Sequence, residues 1–182
     1  IPMRISLKSE KKVSAATSVE VRALHSDGVI YLLAQWKDST VDRQFRPWSW
    51  DTKINNYQRA DTTLDDAFGV AIHLDPEDLE ACMLRGGNHE TDLWLWRAFW
   101  SDISGYASDQ LLLSSSKPLR RANSYVNKSG QQIWIQNRPD KGTRAWVPEV
   151  PPSGQNIGNL IPSYIRSSPQ GSAGDVRAKG SW

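Results

Sequence analysis

The histidine, cysteine and serine residues of this sequence do not occur in the motifs that catalytic sites use. The spacing of its three histidines, His25, His73 and His89, matches no zinc motif such as HExxH. The single cysteine, Cys82, adjoins Met83 in an apolar stretch, where a reactive thiolate is not favoured. No GxSxG motif supplies a nucleophilic serine. These features argue against acyl transfer and against zinc catalysis.

Acidic residues cluster on either side of one predicted strand. They could form an acid and base pair or a calcium site, but they lack the alternate-residue oxygen ligands of a calcium loop. We interpret them as solvated turn residues; they are Asp65, Asp66, Asp75, Glu77 and Asp78.

Composition excludes several further classes of protein. The 22 basic and 20 acidic residues are mixed along the chain, which gives a net charge of +2 and no basic patch for nucleic acid. One cysteine permits neither an internal disulfide nor a CxxCH site for covalent haem. No run reaches the roughly 18 to 20 consecutive apolar residues of a membrane span. Nine tryptophans indicate an aromatic core or a surface that holds a flat ligand.

The elements that would position these residues are mostly short strands. Residues 19–24 and 29–36 predict a hairpin, because Asp27-Gly28 suits a tight turn. A strand is expected from Ala67 to Leu74, and a short one from Ala81 to Leu84. The segment Thr91–Trp100 is apolar on both alternating faces, which favours a central strand.

The remaining segments are rich in residues that favour turns and loops. We predict loops for 38–63 and for most of 101–175, with one strand at Gln132–Gln136 and the start of a last strand at Asp175–Trp182. The fold class expected is an all-β antiparallel sandwich with long irregular loops, in a single domain over residues 1–182.

Four separated segments form the most informative constellation in the chain. They are Cys82–Gly87 (CMLRGG), Asp92–Ala98 (DLWLWRA), Gly105–Asp109 (GYASD) and Asp175–Trp182 (DVRAKGSW). Together they resemble the haem-binding domain of the ethylbenzene dehydrogenase family, the gamma subunits of periplasmic molybdenum enzymes of the dimethyl sulfoxide reductase type. In that family a D-x-W-x-W-(K/R)-A strand follows a loop with methionine and glycine, and a late DVxAKGxW strand supplies a lysine.

The resemblance covers most of the chain. Val29–Asp38 (VIYLLAQWKD) is similar to a hairpin strand of the family, and Asp66–Gly69 (DAFG) is similar to another strand. Residues 38–63 and 110–155 lie outside it. The family pattern continues beyond the lysine strand, so we expect the chain to be a fragment that lacks its last strand or strands.

The resemblance implies a non-covalent haem b whose iron is held by a methionine and a lysine. The matching positions are Met83 and Lys179. With both axial positions filled by protein, no coordination site is left for a substrate, which suits electron transfer rather than catalysis. His89 and His73 are reserve ligands, because imidazole is a common ligand of haem iron.

Other residues could contact the cofactor. Trp94 and Trp96 occupy one of the two alternating faces of their strand, and Leu93 and Leu95 the other. One of these faces could line a haem pocket, although the tryptophans also suit a core. Arg97 could pair with a haem propionate or serve as an ordinary ion-paired residue. We do not choose between these alternatives from the sequence.

Partners and location follow only from the resemblance. It implies iron–sulfur and molybdenum subunits in a larger complex, a soluble cytochrome as redox partner, and a periplasmic location. The lone cysteine is compatible with that location.

A carbohydrate-binding module is the alternative from another class of protein. Sandwiches of this kind stack sugars on exposed tryptophans, and four tryptophans lie in segments that resemble loops. They are Trp48, Trp50, Trp134 and Trp146.

Overall fold

The computed structural model describes residues 18–74, 84 and 87–181, together with the backbone of residues 3–6. Strands make up 48% of the chain and helices 5%, and the described sheets are antiparallel. This confirms the predicted all-β antiparallel class, of which the sandwich is one form. The chain divides into two compact units, Ile1–Val41 and Asp42–Trp182, and each is described by itself.

The first unit contains a three-stranded antiparallel sheet in the order β1-β2-β3. Its strands are β1 (Met3–Ser6), β2 (Ser18–Ser26) and β3 (Val29–Trp36). The predicted hairpin is confirmed: Ser26 pairs with Val29 across a turn in which Asp27 and Gly28 have φ angles of 53° and 76°. A turn with two positive φ angles matches the right-handed twist of the strands and favours this Asp-Gly pair.

The second unit contains the remaining strands. They are β4 (Trp48–Asp51), β5 (Asn56–Arg59), β6 (Ala67–His73), β7 (His89–Arg97), β8 (Ser108–Ser115), β9 (Asn123–Val126), β10 (Gln132–Pro139), β11 (Trp146–Pro148), β12 (Leu160–Ile161) and β13 (Tyr164–Arg166). One helical turn, α1 (Ser101–Ser104), follows β7, and a 3₁₀ turn spans Gly171–Gly174.

A five-stranded sheet in the order β6-β7-β8-β10-β9 is the largest in the second unit. A three-stranded sheet in the order β12-β4-β5 and the pair β11-β13 accompany it. The predicted central strand is confirmed in position, since β7 has a hydrogen-bonded neighbour on each side. It ends at Arg97, and residues 98–100 form a turn, so the strand is shorter than the apolar run.

Two loop predictions were wrong. The stretch 38–63 contains the hairpin of β4 and β5, in which Trp50 pairs with Tyr57. The stretch 101–175 contains strands β8 to β13, including β8, whose three leucines are flanked by serines and polar residues. Local composition favoured loops in both places, whereas pairing between strands supplies the backbone hydrogen bonds that make them strands, both within hairpins and between more distant strands such as β4 and β12.

Two further strand predictions have different outcomes. Residues 175–181 form only an isolated bridge, between Tyr106 and Arg177, rather than a strand. The short strand expected from Ala81 to Leu84 lies outside the described residues, except for Leu84, which is in a turn.

The core of the second unit is built around a buried ion pair. The interpretation of Asp65 as a solvated turn residue was wrong, because its side chain is fully buried. It accepts hydrogen bonds from Arg97 Nε at 2.9 Å and from the Phe99 backbone N–H at 2.9 Å. The Arg97 guanidinium also lies 4.0 Å from the centroid of the Phe45 ring and 4.7 Å from that of Trp100. A buried guanidinium that is both paired and stacked is well stabilised.

Removing the carboxylate of Asp65 should destabilise the fold strongly. Asp65→Ala leaves the Arg97 guanidinium buried without its counterion and the Phe99 N–H without an acceptor, at a cost of about 3–5 kcal/mol in unfolding free energy. Urea denaturation followed by tryptophan fluorescence measures this cost. The matched control is Asp61→Ala, which removes an ion pair with Arg46 from a carboxylate that is 65% exposed. The control should cost less than about 1 kcal/mol, and equal costs for the two variants would contradict the interpretation.

Candidate functional site

Lys179 lies in a segment that hydrogen bonds to the turn leaving β7 and to the start of β8. The Ala107 N–H donates to the Val176 carbonyl at 3.0 Å, and the Ala178 N–H donates to the Gly105 carbonyl at 3.1 Å. The Gly180 N–H donates to Asp102 Oδ1 at 2.7 Å. These bonds hold the backbone on both sides of Lys179.

Gly180 lies directly against the indole of Trp96. A Cβ atom at this position would overlap the Trp96 ring, so only glycine lets the backbone approach so closely. Residues 175–181 therefore meet the strand Asp92–Ala98 and the segment Gly105–Asp109, from which they are far apart in sequence, at one end of the five-stranded sheet. We call this end, formed by Trp96, Asp102, Gly105 and residues 176–180, the lysine end.

The Lys179 side chain is accessible and weakly held. It is 77% exposed, and its Nζ lies 3.6 Å from Asp102 Oδ1. An exposed ion pair of this kind contributes at most about 1 kcal/mol. The amine is therefore available to an incoming ligand, although it must lose its proton before it can coordinate a metal.

Trp94 and Trp96 point to one face of the sheet together with Asp92 and Asp109. Side chains alternate along a strand, and Trp94 is directly opposite Asp109 in the register of β7 and β8. Trp94 Nε1 donates a hydrogen bond to Asp92 Oδ2 at 3.0 Å. Both tryptophans are half-buried. This face, which carries Trp94, Trp96, Asp92 and Asp109, is called the tryptophan face below.

Asp109 has the most perturbed protonation equilibrium in the described part of the chain. Burial, followed by the negative charge of Asp92 and a hydrogen bond with the Asp92 side chain, raises the pKa of Asp109 from 3.8 to about 7. Asp140 and Asp175 act in the same direction at longer range. Desolvation and like charges both disfavour the carboxylate, so this side chain titrates near neutral pH.

Arg97 is engaged in the core rather than at the lysine end. Its guanidinium is paired with Asp65 and stacked on Phe45 and Trp100, and its side chain is only 17% exposed. The sequence left two roles open for Arg97, pairing with a haem propionate or an ordinary ion pair within the protein, and this geometry favours the ion pair. Pairing with a propionate would require the guanidinium to leave a buried carboxylate.

The reserve ligands His73 and His89 lie at the opposite end of the sheet. Their ring centroids are 5.5 Å apart, and His73 Nδ1 lies 3.3 Å from Thr91 Oγ1. His89 pairs with Ser114 and Leu95 pairs with Ser108, so the two ends are about 20 Å apart along the strands.

Met83 and Cys82 lie outside the described residues, so the placement of Met83 as a ligand stays a prediction. Its neighbour Leu84 is described, and the Leu84 carbonyl accepts a hydrogen bond from Asn127 Nδ2 at 3.1 Å. Asn127 directly follows Val126, the last residue of β9, which pairs with Gln132 at the start of β10. This start of β10 lies at the end of the sheet that carries His89, called the histidine end, because Ile135 and His89 both pair with Ser114. In the described residues, no three His, Cys, Asp or Glu side chains are grouped as they would be around a metal ion.

The sequence model of one protein family, described as ethylbenzene dehydrogenase, matches residues 1–182, the whole chain. The chain belongs to the ethylbenzene dehydrogenase family. No curated protein and no solved structure matches it significantly. No helix in the described residues is long and apolar enough to cross a membrane.

The residues at the lysine end fit a haem in part. An accessible amine stands beside a half-buried indole against which the glycine backbone packs, which is a suitable border for a flat, apolar ring system. The second ligand that the ethylbenzene dehydrogenase family implies, Met83, is outside the described residues.

The four tryptophans of the carbohydrate alternative do not form a shared exposed platform. Trp146 is 6% exposed and stacks on Trp100 with centroids 5.5 Å apart. Trp48 donates from Nε1 to the Glu149 carbonyl at 2.8 Å, and Trp50 packs edge-on against Tyr57 at 5.0 Å. Trp134 is half-buried in β10, on a different sheet from Trp48 and Trp50.

Two residues of the site were missed by sequence reasoning. Asp102, which binds both the Gly180 N–H and the Lys179 amine, occurs in a short turn with no motif to mark it. Asp109 belongs to the segment Gly105–Asp109, which was recognised as part of the family pattern without a role for its carboxylate. The pairing of Asp109 with Trp94 puts the two side chains on one face, but this could be predicted only once the strand register was known.

Replacing Gly180 should detach the segment that carries Lys179. In Gly180→Ala the methyl group meets the Trp96 indole, and overpacking of this kind costs about 1–3 kcal/mol. Hydrogen exchange read by mass spectrometry should show faster exchange of the peptide 176–181. Gly158→Ala is the matched control, because the nearest atom to its Cβ, the Leu160 carbonyl oxygen, is 4.0 Å away. Unchanged exchange in Gly180→Ala would show that the contact with Trp96 does not hold the segment.

The raised pKa of Asp109 predicts a particular dependence of stability on pH. Between about pH 4 and about pH 7 the folded chain keeps a proton that the unfolded chain has released, so stability falls as the pH rises. Asp109→Asn removes this effect and should be more stable than the wild type by ~2–4 kcal/mol at about pH 8. Chemical denaturation of both proteins at about pH 4 and about pH 8 measures the difference. It should largely disappear at the lower pH, and an equal difference at both values would contradict the assignment.

Proposed function

We propose that the chain binds haem b non-covalently and transfers electrons, without catalysing a reaction of its own. The observation that carries this proposal is the meeting of three family segments at the lysine end, where Gly180 packs on Trp96 and exposes Lys179. Membership of the ethylbenzene dehydrogenase family supports the same function.

Lys179 is proposed as one axial ligand of the haem iron. Its exposed amine can reach a ligand without disrupting the core, and the single ion pair with Asp102 is weak enough to be given up. Only the neutral amine can coordinate, so its proton must leave when the ligand binds. The hydrogen bond from Gly180 to Asp102 keeps the backbone in place while the side chain changes partner.

Met83 is proposed as the second axial ligand, on the basis of the family resemblance. A thioether is a soft ligand that favours reduced iron. Leu84 lies at the histidine end of the sheet, about 20 Å along the strands from the lysine end, so joint coordination would require the Met83 and Lys179 side chains to extend towards each other. His89, and after it His73, remain the alternative ligands, and spectra of variants separate these assignments.

The bound haem would supply a one-electron couple between ferric and ferrous iron. The residues of the chain would orient it: Trp96 borders the lysine end, and Trp94 extends the same face along β7. Filling both axial positions with side chains leaves no place for a substrate, so the expected role is electron transfer.

Family membership supports a place for this chain in a molybdenum enzyme complex. We propose iron–sulfur and molybdenum subunits as its partners on one side and a soluble cytochrome on the other. We propose a periplasmic location on the same basis.

Reconstitution with haem tests the proposal. The purified chain should give a sharp Soret band after reduction with dithionite, together with the α and β bands of low-spin haem. Lys179→Ala and Met83→Ala should each shift the spectrum towards high spin, because each leaves one axial position to water or to no ligand.

Matched controls make this experiment specific. Lys128→Ala removes an exposed lysine far from the lysine end, and Met3→Ala removes the other of the two methionines. Both should leave the low-spin bands unchanged. A low-spin spectrum that survives Met83→Ala but is lost in His89→Ala would reassign the second ligand. A chain that takes up no haem, but whose tryptophan fluorescence is quenched by glycans, would favour the carbohydrate-binding alternative.

A further inference from the structure

Asp109 is a buried carboxyl group whose hydrogen bonding is incomplete. The residue is 9% exposed, and Asp109 Oδ1 is buried with no hydrogen-bond partner in the described part of the chain. A buried oxygen of this kind is costly when charged, and much less so when the group carries a proton. The side chain is therefore poised to exchange a proton rather than to serve as a permanent anion.

The groups around Asp109 are mostly acidic. Asp92 approaches from β7, Asp140 follows β10 and donates its backbone N–H to the Asp109 carbonyl at 3.2 Å, and Asp175 precedes the segment of Lys179. Two cations on the neighbouring elements are Arg138, in register with Leu111, and Arg177, whose guanidinium lies 4.2 Å from the Tyr106 ring centroid. The others are Arg97, which is paired with Asp65, and the exposed Lys141 and Lys179. The cluster therefore favours uptake of a positive charge.

Asp109 shares the tryptophan face with Trp96, which also belongs to the lysine end. It is directly opposite Trp94, and Trp96, on which Gly180 packs, is two residues further along β7. Two residues of a strand span about 7 Å, which is shorter than the Debye length of about 8 Å at physiological ionic strength, so a charge held beside Trp96 would interact with the carboxyl group. A negative charge added there would raise the affinity of Asp109 for a proton.

We propose that Asp109 is a proton-binding site that takes up one proton when a haem held at the lysine end accepts one electron. This proposal rests on the proposed haem binding. One electron passes to the ferric iron from a reduced iron–sulfur cluster of the proposed partner subunit, or from dithionite in the experiment. The solvent supplies one proton to the Asp109 carboxylate, so that no net charge is added to the protein. No covalent bond other than the carboxyl O–H is formed. The pKa of Asp109, raised to about 7 by burial, places this exchange near neutral pH.

Redox titration of the reconstituted chain at a series of pH values tests the coupling. The midpoint potential of the wild type should fall as the pH rises from about 6 to about 8, with a slope no steeper than about 59 mV per pH unit for one proton per electron. Asp109→Asn, which is isosteric and cannot ionise, should flatten the slope in this range. Asp140→Asn removes a carboxylate of the same cluster but keeps Asp109. The midpoint potential of this variant should still fall as the pH rises, but over a lower pH range, because the Asp140 charge no longer raises the pKa of Asp109.

Infrared spectroscopy of the haem-free chain provides a separate reading of the proton site. A protonated carboxyl band that disappears near pH 7 in the wild type, and is absent from Asp109→Asn, supports the site itself. A haem-loaded chain whose potential does not depend on pH, or an Asp109→Asn variant that keeps the wild-type slope, overturns the coupling while haem binding stands. If neither the wild type nor any variant takes up haem, the proposed function and the coupling both fail, whereas the infrared band still decides whether Asp109 binds the proton.

Discussion

The ion pair between Asp65 and Arg97 determines where the lysine end of the sheet can form. Arg97 is the last residue of β7, and the same Asp65 carboxylate also accepts the Phe99 N–H in the turn that follows. Fixing both residues sets the path of the chain into α1, where Asp102 receives the Gly180 N–H. A buried carboxylate that lost either donor would be strongly destabilised, so the turn has little freedom. The position of Lys179 therefore depends on an interaction in the core.

Two ionisable side chains near the lysine end differ in how firmly they hold their charge. Lys179 is exposed, and its ion pair with Asp102 can be broken at little cost. Asp109 is buried on the tryptophan face and binds its proton near neutral pH. Coordination requires the lysine to lose a proton, while the nearby carboxyl group can gain one. Under the proposed function the two proton transfers belong to different steps, since Lys179 would release its proton on coordination and Asp109 would take one up on reduction.

Sequence reasoning predicted the elements whose determinants are local. The β2–β3 hairpin follows from Asp27-Gly28, and β7 follows from an apolar run with strand-forming residues. It failed for β4 and β5, where the alternation of Trp48 and Trp50 with polar residues was present but was outweighed by the polar surroundings. Sequence reasoning also failed for β8, because three leucines between polar residues do not by themselves indicate that the segment pairs with a strand on each side, β7 and β10.

By itself, the sequence determined the all-β class, the family and the segment that carries Lys179, because these depend on residue types and on spacing within short stretches. Only the tertiary structure decided that Gly180 lies on Trp96, that Asp102 binds the segment, and that Arg97 belongs to the core. The protonation of Asp109 is also a tertiary property, since burial and the carboxylates brought near it by other elements set its pKa. Contacts between residues distant in sequence arise from strand register and side-chain packing, which no local pattern encodes.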